Sequence, residues 1–301
     1  MKLRHILEAQ QFTLPIIREL FDRARGMEHV VARGGSLDFQ KRIMASLFYV
    51  PSMRTRFSFE SAMHRLGGKV MSTENARAFS SEIEAEDVED SIRVLSGYAD
   101  VIVIRHPEEG GARRAADASS VPVINAGDGQ GGQHPTQALL DLYTIYRERP
   151  LDGLSIAFIG ELDRGRTVRS LAYLLGKFDR VKLVFVSPAE LQMRPDILEY
   201  LDRHNVHYEM VTDMESVLGK ADVIYQTRIH PERLRNRAGL GLYTIDSSVL
   251  PKLKPDAMIL HPLPRTTELA KCVDADSRAR YFLEAQNGLY VRMALLTMLL
   301  D

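Results

Sequence analysis

Residues Ser155–Val186 read SIAFIGELDRGRTVRSLAYLLGKFDRVKLVFV. Ser155–Ile159 and Lys182–Val186 are short, rich in apolar and β-branched residues and nearly unbroken in hydrophobicity, as strands buried on both faces should be. Between them lie a polar, glycine-containing loop, Gly160–Thr167, and a stretch of helical period, Val168–Lys177. A buried strand, a loop, a helix and a second buried strand make a βαβ unit, with parallel strands and a right-handed crossover.

The same alternation extends in both directions. Further strands are expected at Ala45–Phe48, Val101–Arg105, Val121–Asn125, Val223–Gln226 and Met258–Leu260. Helical period runs from Phe57 to Leu66, up to Leu95–Tyr98, and from Gln137 to Arg147. The pattern predicts an α/β chain of two doubly wound parallel-sheet domains joined by helices. Arg149-Pro150-Leu151-Asp152-Gly153 is a polar Pro/Gly turn between a helix and a strand, so the boundary is expected there. The expected domains are residues 1–150 and 151–287, with a Leu- and Met-rich helix over 288–301 packing back on the first.

Composition narrows the function classes. The chain has 301 residues, enough for two domains rather than one oversized core. A net charge of −1 gives no bulk attraction to nucleic acid or an anionic membrane. No apolar run approaches the roughly 20 residues that span a bilayer, and Met1–His5 does not lead into a signal-peptide core. The single cysteine, Cys272, cannot form an internal disulfide, so a cytoplasmic location is expected.

Several stretches carry chemistry. Ser52-Met53-Arg54-Thr55-Arg56 follows a predicted strand and opens a predicted helix, where free N–H groups and the helix dipole suit a phosphate. Taken alone, the segment equally fits an N-capped helix with surface arginines. Arg105 ends a buried strand, where open α/β sheets place ligand contacts, although a strand-end arginine also pairs readily with a local acid. His134 and Gln137, in Gln133-His134-Pro135-Thr136-Gln137, are three apart at a helix start and can face one cleft. Arg166 sits in a strand-to-helix loop that lacks the G-x-G-x-x-G spacing, so it fits a carboxylate better than a dinucleotide. Arg228 and His230 follow another strand. His261-Pro262-Leu263-Pro264-Arg265 ends a third, stiffened by two prolines that leave carbonyls free to accept hydrogen bonds. Together these are two basic clusters on opposite halves, with one His and one Gln between them. That is the equipment for two anionic substrates, without a metal-ligand set or a nucleophile–base pair.

Over essentially its whole length the chain resembles the aspartate carbamoyltransferase family of catalytic chains. S-x-R-T-R and H-P-T-Q mark the wider aspartate/ornithine superfamily, and H-P-L-P-R favours the aspartate branch. The resemblance implies carbamoyl phosphate and L-aspartate as substrates and no cofactor. It also implies a homotrimer with active sites shared between neighbouring subunits, open to further assembly with other chains. It assigns carbamoyl phosphate to Ser52, the Met53 backbone, Arg54, Thr55 and Arg105. His134, with Thr55 and Arg105, would polarise the carbonyl. Gln137 and the carbonyls of Pro262 and Leu263 would hold the carbamoyl nitrogen, and Arg166 and Arg228 the acceptor carboxylates.

Three positions depart from that family's pattern. Met53 replaces a threonine, which a backbone N–H contact survives. His230 replaces a glutamine that helps hold the acceptor. In the loop that would reach the neighbour's site, S-x-x-K-G-E has become Ser80-Ser81-Glu82-Ile83-Glu84-Ala85-Glu86, so Glu84 stands for the lysine. Four readings of Glu84 stay open: a loop that swings away, an acceptor with a cationic group, a lysine supplied by another chain, or a non-catalytic relative. The run from Glu82 to Asp90 is also, more plainly, a solvated acidic helix start.

Overall fold

The computed structural model describes residues 3–74, 87–234 and 241–301. By contacts the chain forms two compact units: residues 1–139 with 286–301, and residues 140–285. The division falls inside a helix, ahead of the Pro150 turn.

In the first unit, helix α1 (Leu14–Ala32) precedes β1 (Ile43–Phe48), α2 (Met53–Arg65) and β2 (Lys69–Glu74). Then come α3 (Val88–Ser96), β3 (Val101–His106), α4 (Gly111–Ala118) and β4 (Val123–Asp128). The strands form one parallel sheet in the order β2-β1-β3-β4. Leu47, Ile102 and Ile104 pack with Val88 and Ile92 of α3 and with the alanines of α4, whose small side chains let that helix lie close. Helix α5 (Pro135–Glu148) leads from the first unit into the second.

The second unit contains β5 (Ser155–Ile159), α6 (Arg166–Leu175), β6 (Lys182–Val186), α7 (Pro195–Arg203), β7 (His207–Val211), β8 (Val223–Gln226) and β9 (Met258–Leu260). Its five parallel strands run in the order β7-β6-β5-β8-β9. Helix α8 (Tyr281–Leu300) returns the chain to the first unit, where Val291, Met293, Leu295 and Leu296 are fully buried.

The α/β class and both parallel sheets agree with the sequence pattern, and β5, β6, β8 and β9 match it to the residue. The fourth strand of the first sheet, β4, required correction from Val121–Asn125 to Val123–Asp128. Four helices start earlier than periodicity suggested: α2 at Met53 rather than Phe57, α5 at Pro135 rather than Gln137, α6 at Arg166 rather than Val168, and α8 at Tyr281 rather than Gly288. Two strands escaped the reading, β2 and β7. Both lie at sheet edges with mostly exposed or half-buried side chains, so neither carries a continuous apolar run.

Candidate active site

Both sheets reverse their winding direction beside a central strand, and ligands of open α/β sheets bind outside the carboxyl ends of strands at such points. In the first unit β1 lies between β2 and β3, and Phe48 pairs with Arg105 where the two strands end. In the second, β5 lies between β6 and β8, and Ile159 pairs with Gln226. The residues singled out by sequence follow these strand ends.

In the first unit the chain leaves β1 and enters α2 through Ser52, the N-cap, whose hydroxyl makes no capping bond. Met53, Arg54 and Thr55 are the first turn of that helix rather than a preceding loop, so their N–H groups are among those left free by helix geometry. Thr55 is buried, while Met53 is 62% exposed, consistent with a backbone rather than a side-chain role. Desolvation lowers the pKa of Arg54 from its usual value, yet an arginine stays charged at neutral pH. Glu74, at the end of β2, accepts the Ser52 N–H at 3.3 Å and pairs with Arg56 at 3.3 Å. That acid braces the loop, and sequence reasoning had not singled it out.

Arg105 extends from the end of β3 and donates to the Ala126 carbonyl at 3.1 Å, tying the ends of β3 and β4 together. After β4, Asp128 accepts the N–H groups of Gln133 at 2.9 Å and Gly110 at 3.1 Å, fixing the approach to His134. Gly129 has φ +46, and a Cβ there would lie 2.3 Å from the Glu109 nitrogen, so the turn admits only glycine. His134 is buried immediately before α5, and its carbonyl accepts the Gln137 N–H at 3.0 Å. The structure thus carries Ser52–Thr55, Arg105, His134 and Gln137 to one edge of one sheet.

In the second unit Gly160 leaves β5 with φ +125, and an added Cβ would come within 2.5 Å of the Thr227 carbonyl oxygen. Thr227 in turn donates its N–H to Ile159 at 2.7 Å, and Glu161 donates its N–H to the Arg228 carbonyl at 3.1 Å. The two loops of the switch point are bonded to each other. Gly160→Ala is therefore expected to destabilise the fold by about 1–3 kcal/mol from backbone strain alone, with a further loss from displaced Thr227. Urea unfolding of the variant measures it, and an unchanged midpoint would show that the loops are not so tightly joined.

Arg166 opens α6 half-buried, and Arg228 follows β8 half-buried. The Arg228 Nε is buried and has no hydrogen-bond partner among the described residues. His230, expected to touch the acceptor, instead places Nδ1 2.8 Å from Glu161 Oε2. Arg233 pairs with both Glu161 and Asp163, the latter at 2.5 Å. His230 therefore belongs to a network holding the loops after β5 and β8 together.

Beyond β9 the turn His261–Thr266 is held from both sides. His261 Nδ1 accepts the Leu263 N–H at 2.8 Å, which leaves Nε2 to donate to Glu268 at 2.9 Å. Glu268 also accepts the Thr266 N–H at 2.9 Å and the Thr266 hydroxyl at 2.5 Å. Leu263 is held at φ +50, a conformation costly for a branched side chain, and the Leu263–Pro264 peptide is cis. Arg265 pairs with Asp274 at 2.6 Å, so this arginine braces the turn. Burial opposes ionisation of Glu268, but the bonds from His261 and Thr266 outweigh it and bring its pKa down to about 2. A carboxylate depressed in the folded state stabilises fully above its unfolded pKa and loses that contribution as pH falls toward the folded value. Glu268→Gln should thus destabilise the protein at pH 7 and much less near pH 2. Chemical unfolding at both pH values tests this, and an equal loss at each would contradict it.

Ser80 and Glu84 lie outside the described residues. The braces Glu74, Asp128, Glu161 and Glu268 had no sequence signature, because each acts on a partner loop rather than within a motif.

Comparison with known proteins agrees with this geometry. Residues 4–147 match the aspartate/ornithine carbamoyltransferase carbamoyl-P binding domain, and residues 152–299 match the Asp/Orn binding domain of the same family. A chloroplastic aspartate carbamoyltransferase of Oryza sativa is 52% identical over 313 aligned residues, covering 100% of this chain and 86% of that protein. The catalytic subunit of M. jannaschii aspartate transcarbamoylase superposes with a TM-score of 0.91 at 43% identity, covering 99% and 98% of the two chains. The Trypanosoma cruzi aspartate transcarbamoylase, in complex with carbamoyl phosphate and aspartate, superposes with a TM-score of 0.91 at 38% identity, covering 100% and 97%. With both domain matches spanning nearly all of its length, the chain belongs to the aspartate/ornithine carbamoyltransferase family, on the aspartate carbamoyltransferase catalytic branch.

Proposed function

We propose that the protein transfers the carbamoyl group of carbamoyl phosphate to the amino group of L-aspartate, giving N-carbamoyl-L-aspartate and phosphate for pyrimidine biosynthesis. The observation that carries the acceptor assignment is Arg228, a half-buried cation beside a switch point whose buried Nε has no partner among the described residues, with Arg166 opening the helix that follows β5 of the same unit. Two arginine forks suit the two carboxylates of aspartate, whereas an acceptor with one carboxylate would leave one fork unmatched.

In this reading Ser52, the Met53 N–H, Arg54, Thr55 and Arg105 hold the phosphate. Thr55, Arg105 and His134 polarise the carbonyl oxygen, and Gln137 with the Pro262 and Leu263 carbonyls orients the carbamoyl NH₂. The aspartate amine attacks the carbonyl carbon, forming the C–N bond. The C–O bond to phosphate then breaks, and the departing phosphate takes the electron pair and can accept the amine proton. The residues work by positioning and by stabilising charge on the oxygen, without a covalent enzyme intermediate.

The expected domains, a carbamoyl-phosphate domain over 1–150 and an acceptor domain over 151–287, form part of this proposal, as does a homotrimer with shared sites. So does a reducing aqueous compartment such as the cytoplasm. Among the described residues no helix is long and apolar enough to cross a membrane, and the rice relative is chloroplastic by name.

A second reading, a carbamoyltransferase for another amino acid or a binding subunit with impaired catalysis, is favoured by Glu84 and by the engagement of His230 with Glu161. Steady-state assays with aspartate, ornithine and other amino acids discriminate the two. Turnover restricted to aspartate supports the proposal. Faster transfer to another amine, or carbamoyl-phosphate binding without turnover, supports the second reading.

A further inference from the structure

Beneath the turn that follows β9 runs a buried chain of polar groups. Glu284, on α8, is 1% exposed and accepts the His261 backbone N–H at 2.9 Å through Oε2. Asp141 of α5, itself fully buried, faces Glu284, whose Oε1 has no other hydrogen-bond partner among the described residues, so the two carboxyls can share a hydrogen bond when one of them is protonated. Tyr225 of β8, fully buried, donates its hydroxyl to Asp141 at 2.7 Å and bonds to Thr167, the neighbour of Arg166 on α6. One continuous path therefore connects Thr167, Tyr225, Asp141, Glu284 and His261. It reaches the three loops of this unit that carry Arg166, Arg228 and the Pro262–Leu263 carbonyls.

We infer that Glu284 is a positioning residue for carbamoyl transfer, acting through the His261 N–H to hold the Pro262 and Leu263 carbonyls where they receive the carbamoyl NH₂. The inference rests on the functional reading above. The geometry leaves little other use for the acid. It is sealed from solvent, lies one peptide ahead of the first carbonyl, and supplies the acceptor that anchors a turn whose Leu263 is held at positive φ.

The titratable groups facing Glu284 are Asp141 from α5, Tyr225 from β8 and His261 from the end of β9, with Glu268 behind that imidazole. Two adjacent carboxyls can share a hydrogen bond only while one keeps its proton. Burial and then the Asp141 charge push the Glu284 carboxyl well above its usual range, and the bond from the His261 N–H offsets only part of this. One proton held between them satisfies both carboxyls. When alkali removes it, two buried like charges face each other and the turn must move.

Glu284→Gln keeps an acceptor for His261 and a donor for Asp141, but cannot ionise. Glu284→Leu keeps neither. The test measures kcat and KM from neutral to alkaline pH for both variants and the wild type, with inorganic-phosphate affinity as a probe of the first unit. The expected result is a glutamine variant within about threefold of wild-type kcat at pH 7, without the wild-type alkaline decline. The leucine variant should lose about tenfold or more in kcat while phosphate affinity holds within about twofold. Merely structural damage would lower stability without removing an alkaline limb from the glutamine variant. An active wild type whose alkaline profile is unchanged by Glu284→Gln, or whose kcat survives Glu284→Leu, overturns the positioning role alone. A wild type that carbamoylates no amine overturns the functional reading, and this inference with it.

Discussion

Glu84→Lys raises kcat/KM for carbamoyl transfer to aspartate by about 10²–10³. A carboxylate about 4 Å from a phosphate oxygen repels it by about 4 kcal/mol at an effective dielectric near 20, and each 1.36 kcal/mol is a factor of ten in rate. Partial withdrawal of the loop and screening by salt reduce the full figure, which is why two to three powers of ten are expected rather than more. The assay is steady-state transfer by purified wild type and variant at low and high ionic strength. A variant no faster than an active wild type would mean that Glu84 does not approach the phosphate. A variant that loses activity toward another amine would instead show Glu84 recognising a cationic acceptor.

Arg228→Ala lowers kcat/KM for aspartate by about 10²–10³, because removing one member of a buried charge pair costs about 2–5 kcal/mol. Carbamoyl-phosphate affinity should stay within about twofold, since the residues assigned to its phosphate belong to the other unit. Arg228→Lys keeps the charge but not the planar fork, and it should fall between wild type and alanine. Isothermal titration with carbamoyl phosphate, set beside aspartate saturation kinetics, separates the two substrates. Equal damage to both, or none to aspartate, would remove Arg228 from the acceptor site.

How much of this could be read from sequence depended on where each residue's partner lies. Strands β5, β6, β8 and β9 are buried on both faces, so hydrophobicity alone marks their limits. Lys69–Glu74 and His207–Val211 escaped because an edge strand needs only one neighbour and tolerates polar residues on open faces. Helix starts were placed too late where the first turn is polar, as at Met53–Arg56 and Arg166–Thr167. There the residues proposed to bind ligands interrupt the apolar period.

The motif residues were legible because each lies within a few positions of a strand end. Their braces were not. Glu284 meets His261 from 23 residues away, Glu161 meets His230 from 69, and Asp141 meets Tyr225 from 84. Spacings of that kind appear only when the chain is folded. His230, besides the acceptor contact its position suggests, engages Glu161 through Nδ1, a bond its place in the sequence does not announce.

The unit that begins the chain is also the one that ends it, since residues 286–301 complete a body otherwise built from residues 1–139. During synthesis the later unit is therefore the first for which every residue has been made. The earlier one must wait, with the pocket that Val291, Leu295 and Leu296 fill still open, until translation is nearly over. Loss of residues 286–301 would therefore strike the unit encoded first.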